Sequence, residues 1–434
     1  MRPAPVLGLL LPCLLPACGA GPAEGPRNLI LISIDTLRAD RLGCYGYGRD
    51  TSPALDRFAA GAALFERAYA AAPWTLPSHV TLLSGLVPAT HGVDQPDLRP
   101  GANTRLLAEV LRDAGYYTFA HTDGGWLGAD FDLDRGFLAF EDEDRELKDT
   151  LAQARTAIAE VHGRRPFFAF LHTYDVHCPY APGAPYDAMF ASPGAEPLET
   201  ADRCGNPDFN ARGVSAGEAL FLSDVYDGEV RKADEALGAF FAFLEQEGVL
   251  ADTVVAVVSD HGEEFLEHGR IGHEESVYPE LLRVPLIVRA PGVRAQRLGD
   301  PVSLVDAAPT LLELAGAPAL ERIDGRSLAP LLAGRAAPDP APPVLEAELA
   351  WKADLHAWIQ GSTQWIEGPG RLERYDLAAD PLAAHDLAPL DAGEPAFAAA
   401  RAAVPPRAPP RKPLPALPGE EARRELERIG YAGR

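Results

Sequence analysis

The patterned part of the chain begins with an almost unbroken apolar run, Leu29-Ile30-Leu31-Ile32-Ser33-Ile34, closed by Asp35. Apolar residues at both odd and even positions suit a strand buried on both faces, as in a parallel sheet. Residues 104–114 alternate apolar and charged positions at helical spacing and stop at Gly115. Tyr117-Thr118-Phe119-Ala120 then reads as a strand, as do residues 167–171, 253–259 and 284–288. A long amphipathic helix is expected over residues 224–247, with Val230, Ala233, Leu237, Phe240 and Leu244 on one stripe and Gly248 as its stop. Strands alternating with helices predict an α/β fold, a mostly parallel sheet sandwiched by helices.

This pattern occupies residues 28–335. A Pro/Ala-rich linker follows at 336–343, and the short strand-like runs of 344–388 predict a small antiparallel subdomain. Residues 402–434 read as a Pro-rich tail with a short helix near 420–429, and 181–213 as a long surface loop. At the other end, Arg2 precedes an apolar stretch over residues 6–15, too short for a permanent membrane anchor. It ends in Leu15-Pro16-Ala17-Cys18-Gly19, which resembles the lipobox of bacterial lipoproteins. Residues 1–18 are therefore expected to be a signal peptide, with Cys18 as a lipid anchor and 19–27 as a tether. The expected location is periplasmic or outer-membrane; plain secretion is the alternative. In such an oxidising compartment Cys178 and Cys204 would close one loop; three free thiols, with Cys44, are the other reading.

The 434 residues are 47% hydrophobic and 24% charged, ordinary for a globular protein with a large core. A net charge of −24 and the absence of any offsetting basic stretch argue against a nucleic-acid partner. Four lysines in the whole chain (Lys148, Lys232, Lys352 and Lys412) mean that an anionic substrate must be met by a local cation.

Candidate chemistry starts at Trp74-Thr75-Leu76-Pro77-Ser78-His79, just before an apolar helical run. Pro77 suits the first helical position, which would put Thr75 just outside a helix N-terminus whose free N–H groups favour negative charge. A hydroxyl there either caps the helix or, beside a cation, attacks phosphorus or sulfur. The first strand ends in Asp35 and the 253–259 strand in Asp260-His261-Gly262, at the same edge of a parallel sheet. Asp35, Thr75, Asp260 and His261 would make a four-ligand oxygen and nitrogen set for zinc or manganese, and less well for calcium.

These segments occur in order with Ile32-Ser33-Ile34-Asp35-Thr36-Leu37-Arg38-Ala39-Asp40, Asp175-Val176-His177-Cys178-Pro179-Tyr180, His268 through His273, and Arg283-Val284-Pro285-Leu286-Ile287-Val288. Together they resemble the sulfatase-like branch of the alkaline phosphatase superfamily over residues 28–330, and Tyr375-Asp376-Leu377-Ala378-Ala379-Asp380-Pro381 is similar to its C-terminal subdomain. The resemblance implies metal ligation of one divalent ion, or two, by Asp35, Asp260 and His261, with Thr75 as nucleophile and metal contact. It places His177 and His273 on the transferred group, its leaving oxygen or a second metal. The substrate implied is an anionic ester, small or from the cell envelope. The twelve-residue spacing of His261 and His273 is similar to that of phosphoethanolamine transferases, which also use threonine.

Departures from the pattern narrow the reading. Sulfatases carry Cys or Ser at the Thr75 position, oxidised to formylglycine, and Arg where His79 stands. Thr cannot give that aldehyde, because its Cβ bears a methyl group. The Lys and His that sulfatases place after the second strand are missing, save for His121. The expectation is phosphoester hydrolysis through a phospho-threonine, with His177 or His273 protonating the leaving oxygen. Phospho-group transfer, true sulfate-ester hydrolysis and a metal-binding pseudoenzyme are the alternatives. Asp175 and His172 are open between supporting the site and holding a second metal, and Arg38 and Arg41 read as solvated or ion-paired surface groups.

Overall fold

The computed structural model describes residues 27–199, 207–335, 345–349, 354–387, 395–402, 412–416 and 418–431. The expected export signal, nearly all of the tether, the 336–343 linker and Cys204 lie outside them.

The first apolar run forms strand β1 (Asn28–Ile34), buried along its whole length. It lies inside an eight-stranded sheet with β2 (Ala63–Phe65), β3 (Tyr117–His121), β4 (Ala139–Glu141), β5 (Phe167–Thr173), β6 (Thr253–Val258), β7 (Leu286–Arg289) and β8 (Gln296–Leu298). The spatial order is β8-β2-β7-β6-β1-β5-β3-β4. Strand β1 pairs in parallel with β5 and β6, placing Leu31 opposite Phe170 on one side and Ala256 on the other. Consecutive β1 residues feed opposite cores: Leu29 and Leu31 into one, Ile30, Ile32 and Ile34 into the other. That alternation is why the run had to be apolar throughout.

Helices α1 (Thr75–Ser84), α2 (Leu107–Asp113) and α5 (Ala307–Ala315) cover the first face, with Leu76, Val80, Leu107, Leu111 and Leu311 in its core. The other face is covered by α3 (Leu147–Val161) and α4 (Ala216–Gln246), through Leu151, Ile158, Val230, Leu237 and Phe240. The expected sandwich with its mostly parallel sheet is thus present; one strand runs against the rest and one helix begins earlier than expected. Strand β7 runs antiparallel to both β6 and β2. Residues 259–285, which lead into it, contain only the single-turn helix Pro279–Leu282 rather than the crossover helix a parallel return needs. Helix α4 starts eight residues before the expected 224, because Ser215 and Glu218 form a reciprocal capping box there, with Glu218 N–H donating to Ser215 Oγ at 3.0 Å.

The small C-terminal sheet is antiparallel as expected: β9 (Leu345–Leu349), β10 (Leu355–Gln360), β11 (Thr363–Gly368) and β12 (Arg371–Asp376). Leu355, Ala357, Ile366 and Tyr375 join the main core on the α1 side, so one face of this sheet is fused to the larger unit. Within the expected 181–213 loop the described part includes the helix Pro207–Arg212, where Asn210 exchanges hydrogen bonds with the backbone of Ile271. A helix over Glu420–Leu426, continued by a π-helical turn over Glu427–Tyr431, ends the described chain, and Gly125 N–H donates to Glu425 at 3.1 Å. Among the described residues, no helix is long and apolar enough to cross a membrane.

Candidate active site

Strands β1 and β6 are neighbours and parallel, so their C-terminal ends deliver Asp35 and Asp260 to the same edge. Helix α1 begins there too. Thr75 is its first residue, with Trp74 as the N-cap, which places Pro77 third rather than first. All N–H groups of a first helical turn lack intrahelical acceptors, so proline is tolerated at the third position as well. Thr75, Asp35, Asp260 and His261 are each fully buried.

The four residues face one another. Asp35, Asp260 and His261 each bring one ligand atom within 4.8 Å of the others. His261 Nε2 lies 3.4 Å from Thr75 Oγ1, 3.4 Å from Asp260 Oδ2 and 3.7 Å from Asp35 Oδ1. His261 Nδ1 donates to the Gly262 carbonyl at 2.9 Å, so in the neutral ring Nε2 carries the lone pair and points at the carboxylates. Asp35 Oδ1 and both oxygens of Asp260 are buried without a hydrogen-bond partner. A lone pair and orphaned carboxylate oxygens converging in a dry pocket repel unless a cation lies between them. The donor set therefore fits a divalent ion. In the bare protein, burial pushes the Asp35 and Asp260 carboxyls well above the ordinary carboxylate range, and the Asp35 charge adds to the effect on Asp260.

Local backbone holds these groups in place. Thr36, directly after Asp35, has a left-handed backbone (φ 55°), as does Glu274 (φ 79°), directly after His273. Such conformations cost a non-glycine residue roughly 1–2 kcal/mol and are retained when surrounding contacts fix them. Thr36 is fixed by its own hydroxyl on the Val176 carbonyl (3.1 Å) and by Tyr226 OH on its carbonyl (2.8 Å). Gly262 passes so close to Glu280 that a Cβ would sit 1.9 Å from the Glu280 carbonyl oxygen, which explains the glycine after His261.

Three further histidines surround the pocket. His177 donates Nδ1–H to the Cys178 carbonyl at 2.5 Å, and its ring centre lies 5.0 Å from that of His273. His273 in turn lies 4.6 Å from His261, and its Nδ1 is 2.8 Å from Glu263 Oε1. Burial, with the His273 charge second, pushes the His177 imidazolium down to about 3, so this buried ring is neutral near pH 7. His172 Nε2 lies 3.4 Å from Asp35 Oδ2, whereas Asp175 turns away to accept the Leu147 N–H at the start of α3. His172 thus belongs to the pocket and Asp175 to a helix terminus.

His79 stands where the resemblance would place an arginine. It is fully buried, donates Nδ1–H to the Thr75 carbonyl (2.9 Å) and accepts from Ser33 Oγ through Nε2 (2.9 Å). Burial holds its pKa well below the usual value, so it supplies scaffolding and no charge. His121 faces Glu141 on the adjacent strand, 3.3 Å away. Arg38 corrects the surface reading: its side chain is only 2% exposed, gripped by Asp40 (2.8 Å) and Glu267 (2.5 Å) and bonded to the Glu263 carbonyl (2.8 Å). Arg38→Ala would strand Glu267 and lose that carbonyl contact; the expected cost is about 3–5 kcal/mol, read by urea unfolding.

Glu263 and Tyr180 carry no assigned role in the sequence reading. Yet Glu263 accepts from Tyr180 OH at 2.7 Å while facing His273 with its other oxygen. The Asp-His-Gly-Glu run pointed to Glu263, but its pairing with a residue ten positions on depends on the hairpin Glu264–Phe265/Ile271–Gly272 between them. Cys178 is disulfide-bonded, and Cys44 is free.

The family model described as sulfatase matches residues 27–317, two thirds of the chain. The multifunctional alkaline phosphatase superfamily protein PehA of Trinickia caryophylli is 30% identical over 307 residues, covering 59% of this chain and 57% of that protein. Human arylsulfatase A is 28% identical over 361 residues, or 74% and 71% of the two chains. The chain thus spans little more than half the length of the first of these relatives. In fold it is similar to the phosphonate monoester hydrolase of Agrobacterium radiobacter, with a TM-score of 0.67 at 22% identity over 87% of this chain and 93% of the other. By the extent of the family match and the order of its strand-end residues, the chain belongs to the sulfatase family of the alkaline phosphatase superfamily.

Proposed function

We propose that the protein is a metal-dependent ester hydrolase that uses Thr75 as its nucleophile and prefers phosphorus esters to sulfate esters. One observation carries the reading: a threonine hydroxyl, chemically barred from becoming formylglycine, stands 3.4 Å from His261 Nε2 beside Asp35 and Asp260. The names of two similar proteins, an alkaline phosphatase superfamily protein described as multifunctional and a phosphonate monoester hydrolase, agree with phosphorus chemistry.

A divalent cation held by Asp35, Asp260 and His261 would supply the positive charge that favours the Thr75 alkoxide and offsets the anionic ester. Thr75 Oγ1 attacks phosphorus in line, forming the Oγ–P bond as the bond to the leaving oxygen breaks. The N-terminus of α1 places its partial positive charge at the reacting oxygens. His273, with Nδ1 anchored 2.8 Å from Glu263 Oε1, is held in a fixed orientation beside the pocket and is the proton donor to the leaving oxygen. In the second half, His273 takes a proton from water, water oxygen attacks phosphorus, and Thr75 leaves. His177 stays neutral and lines the same space.

The test is a paired assay on aryl phosphate, aryl phosphonate and aryl sulfate with zinc or manganese. The expected result is turnover of phosphate or phosphonate at least about a hundredfold above sulfate, a difference of about 2.7 kcal/mol in barrier. Turnover of sulfate alone would overturn the preference. The substrate class proposed is an anionic ester met outside the cytoplasm; a disulfide-bonded Cys178 suits that compartment.

A further inference from the structure

A second set of metal-type donors lies outside that pocket. Glu264, His268 and Glu280 each bring one ligand atom within 4.8 Å of the others. Glu264 opens the short strand Glu264–Phe265, His268 sits in the turn leading back to Ile271–Gly272, and Glu280 lies in the single-turn helix Pro279–Leu282. Glu264 is 1% exposed and Glu280 3%, and Glu264 Oε1 and Glu280 Oε2 have no hydrogen-bond partner. Among the described residues, no lysine or arginine forms an ion pair with either carboxylate.

His268 is oriented as metal-ligating histidines are. Its Nε2–H donates to the Ala383 carbonyl at 3.0 Å, so in the neutral ring the lone pair sits on Nδ1, which faces Glu280 Oε1 in close contact. Tyr278 stacks on the ring at 3.5 Å between centres and 7° between planes, fixing it further. Something positive must lie between Nδ1 and the carboxylates, either a proton or a cation. A proton satisfies only the His268–Glu280 contact. It leaves Glu264 Oε1 and Glu280 Oε2 buried with no partner.

We propose that Glu264, His268 and Glu280 form a second divalent-cation site of zinc type, structural in role and separate from the Thr75 pocket. Two carboxylate oxygens and one imidazole nitrogen are the donors such an ion takes, with a fourth place for water. Because the Ala383 carbonyl follows β12 and holds the liganding ring, the ion would fasten the segment after β6 to the C-terminal sheet.

The test reads metal, not activity. Full-length Asp260→Asn protein, stripped by chelator and dialysed against Zn²⁺, is analysed for zinc per chain and for its unfolding midpoint. The expected result is one zinc per chain and a midpoint raised by zinc. Adding Glu264→Gln or His268→Ala, whichever folds by far-UV circular dichroism, removes both effects. No zinc in the Asp260→Asn protein, or zinc unaffected by the added change, overturns the second site. Wild type serves as the control for the first site: a single zinc there that Asp260→Asn alone abolishes would retain the Thr75 pocket and reject this one.

Discussion

Thr75→Ala is expected to lower kcat for aryl phosphate by at least about a thousandfold, because it removes the atom that forms the covalent ester and leaves only positioning and charge. The fold should be untouched. Thr75 is the first residue of α1, and its hydroxyl faces His261 at 3.4 Å and the Asp35 carboxyl, so alanine removes polar contacts within the pocket. Alanine is also a good helix former. Thr75→Ser keeps the hydroxyl and should retain measurable turnover. The pair separates the enzyme from a metal-binding pseudoenzyme. Equal loss in both variants, or no loss in Thr75→Ala, would contradict a nucleophilic hydroxyl; matched circular dichroism spectra and metal content are the controls.

Asp260→Asn is the second large effect, and it has opposite signs with and without metal. In the metal-free protein two buried carboxyls share one dry pocket, and both have raised proton affinity. A group with a raised folded-state pKa contributes stability below its ordinary value, near 4, and loses it as pH rises through the folded value. Metal-free wild type should therefore lose stability from about pH 4 toward neutrality. Asp260→Asn should lose less over the same range, since each tenfold change in proton affinity is worth about 1.4 kcal/mol. Neutral-pH thermal unfolding of the stripped variant should lie above that of stripped wild type. Addition of metal then reverses the order. An ion present at about a thousand times its Kd stabilises its holder by about 4 kcal/mol, and the variant forgoes that increment at this pocket. Parallel unfolding curves for the two proteins under all four conditions would mean that Asp260 neither repels Asp35 nor holds an ion.

What could be read from the chain, and what could not, follows from the range of the interactions involved. Asp35 and Asp260 were legible because each ends a long apolar strand, and parallel neighbours share an edge whatever the loops do. Strands β2, β4 and β8 have three residues each and escaped the reading, since a run that short carries no period. Helix α4 was placed by its apolar stripe, but its start was set by Ser215 and Glu218, a capping signal upstream of that stripe. Arg38 looked like surface because arginine usually is. Asp40 is a local partner, but the return of Glu267 and the Glu263 carbonyl, more than two hundred residues later, completes the set that makes its burial tolerable. The same limit hid the role of His79. Its partners, the Ser33 hydroxyl and the Thr75 carbonyl, are supplied by β1 and by its own helix, and the bond to Ser33 depends on the helix docking on the sheet. Glu264, His268 and Glu280 share no periodic pattern; they meet because a tight hairpin and a single-turn helix fold onto each other.

The stereochemical course at phosphorus tests the central claim most directly. With an aryl phosphorothioate made chiral at phosphorus by two oxygen isotopes and hydrolysed in water carrying the third, attack by Thr75 followed by attack of water gives two inversions, hence net retention of configuration in the thiophosphate released. Net inversion would show that water displaces the leaving group in one step, and Thr75 would then not be the nucleophile.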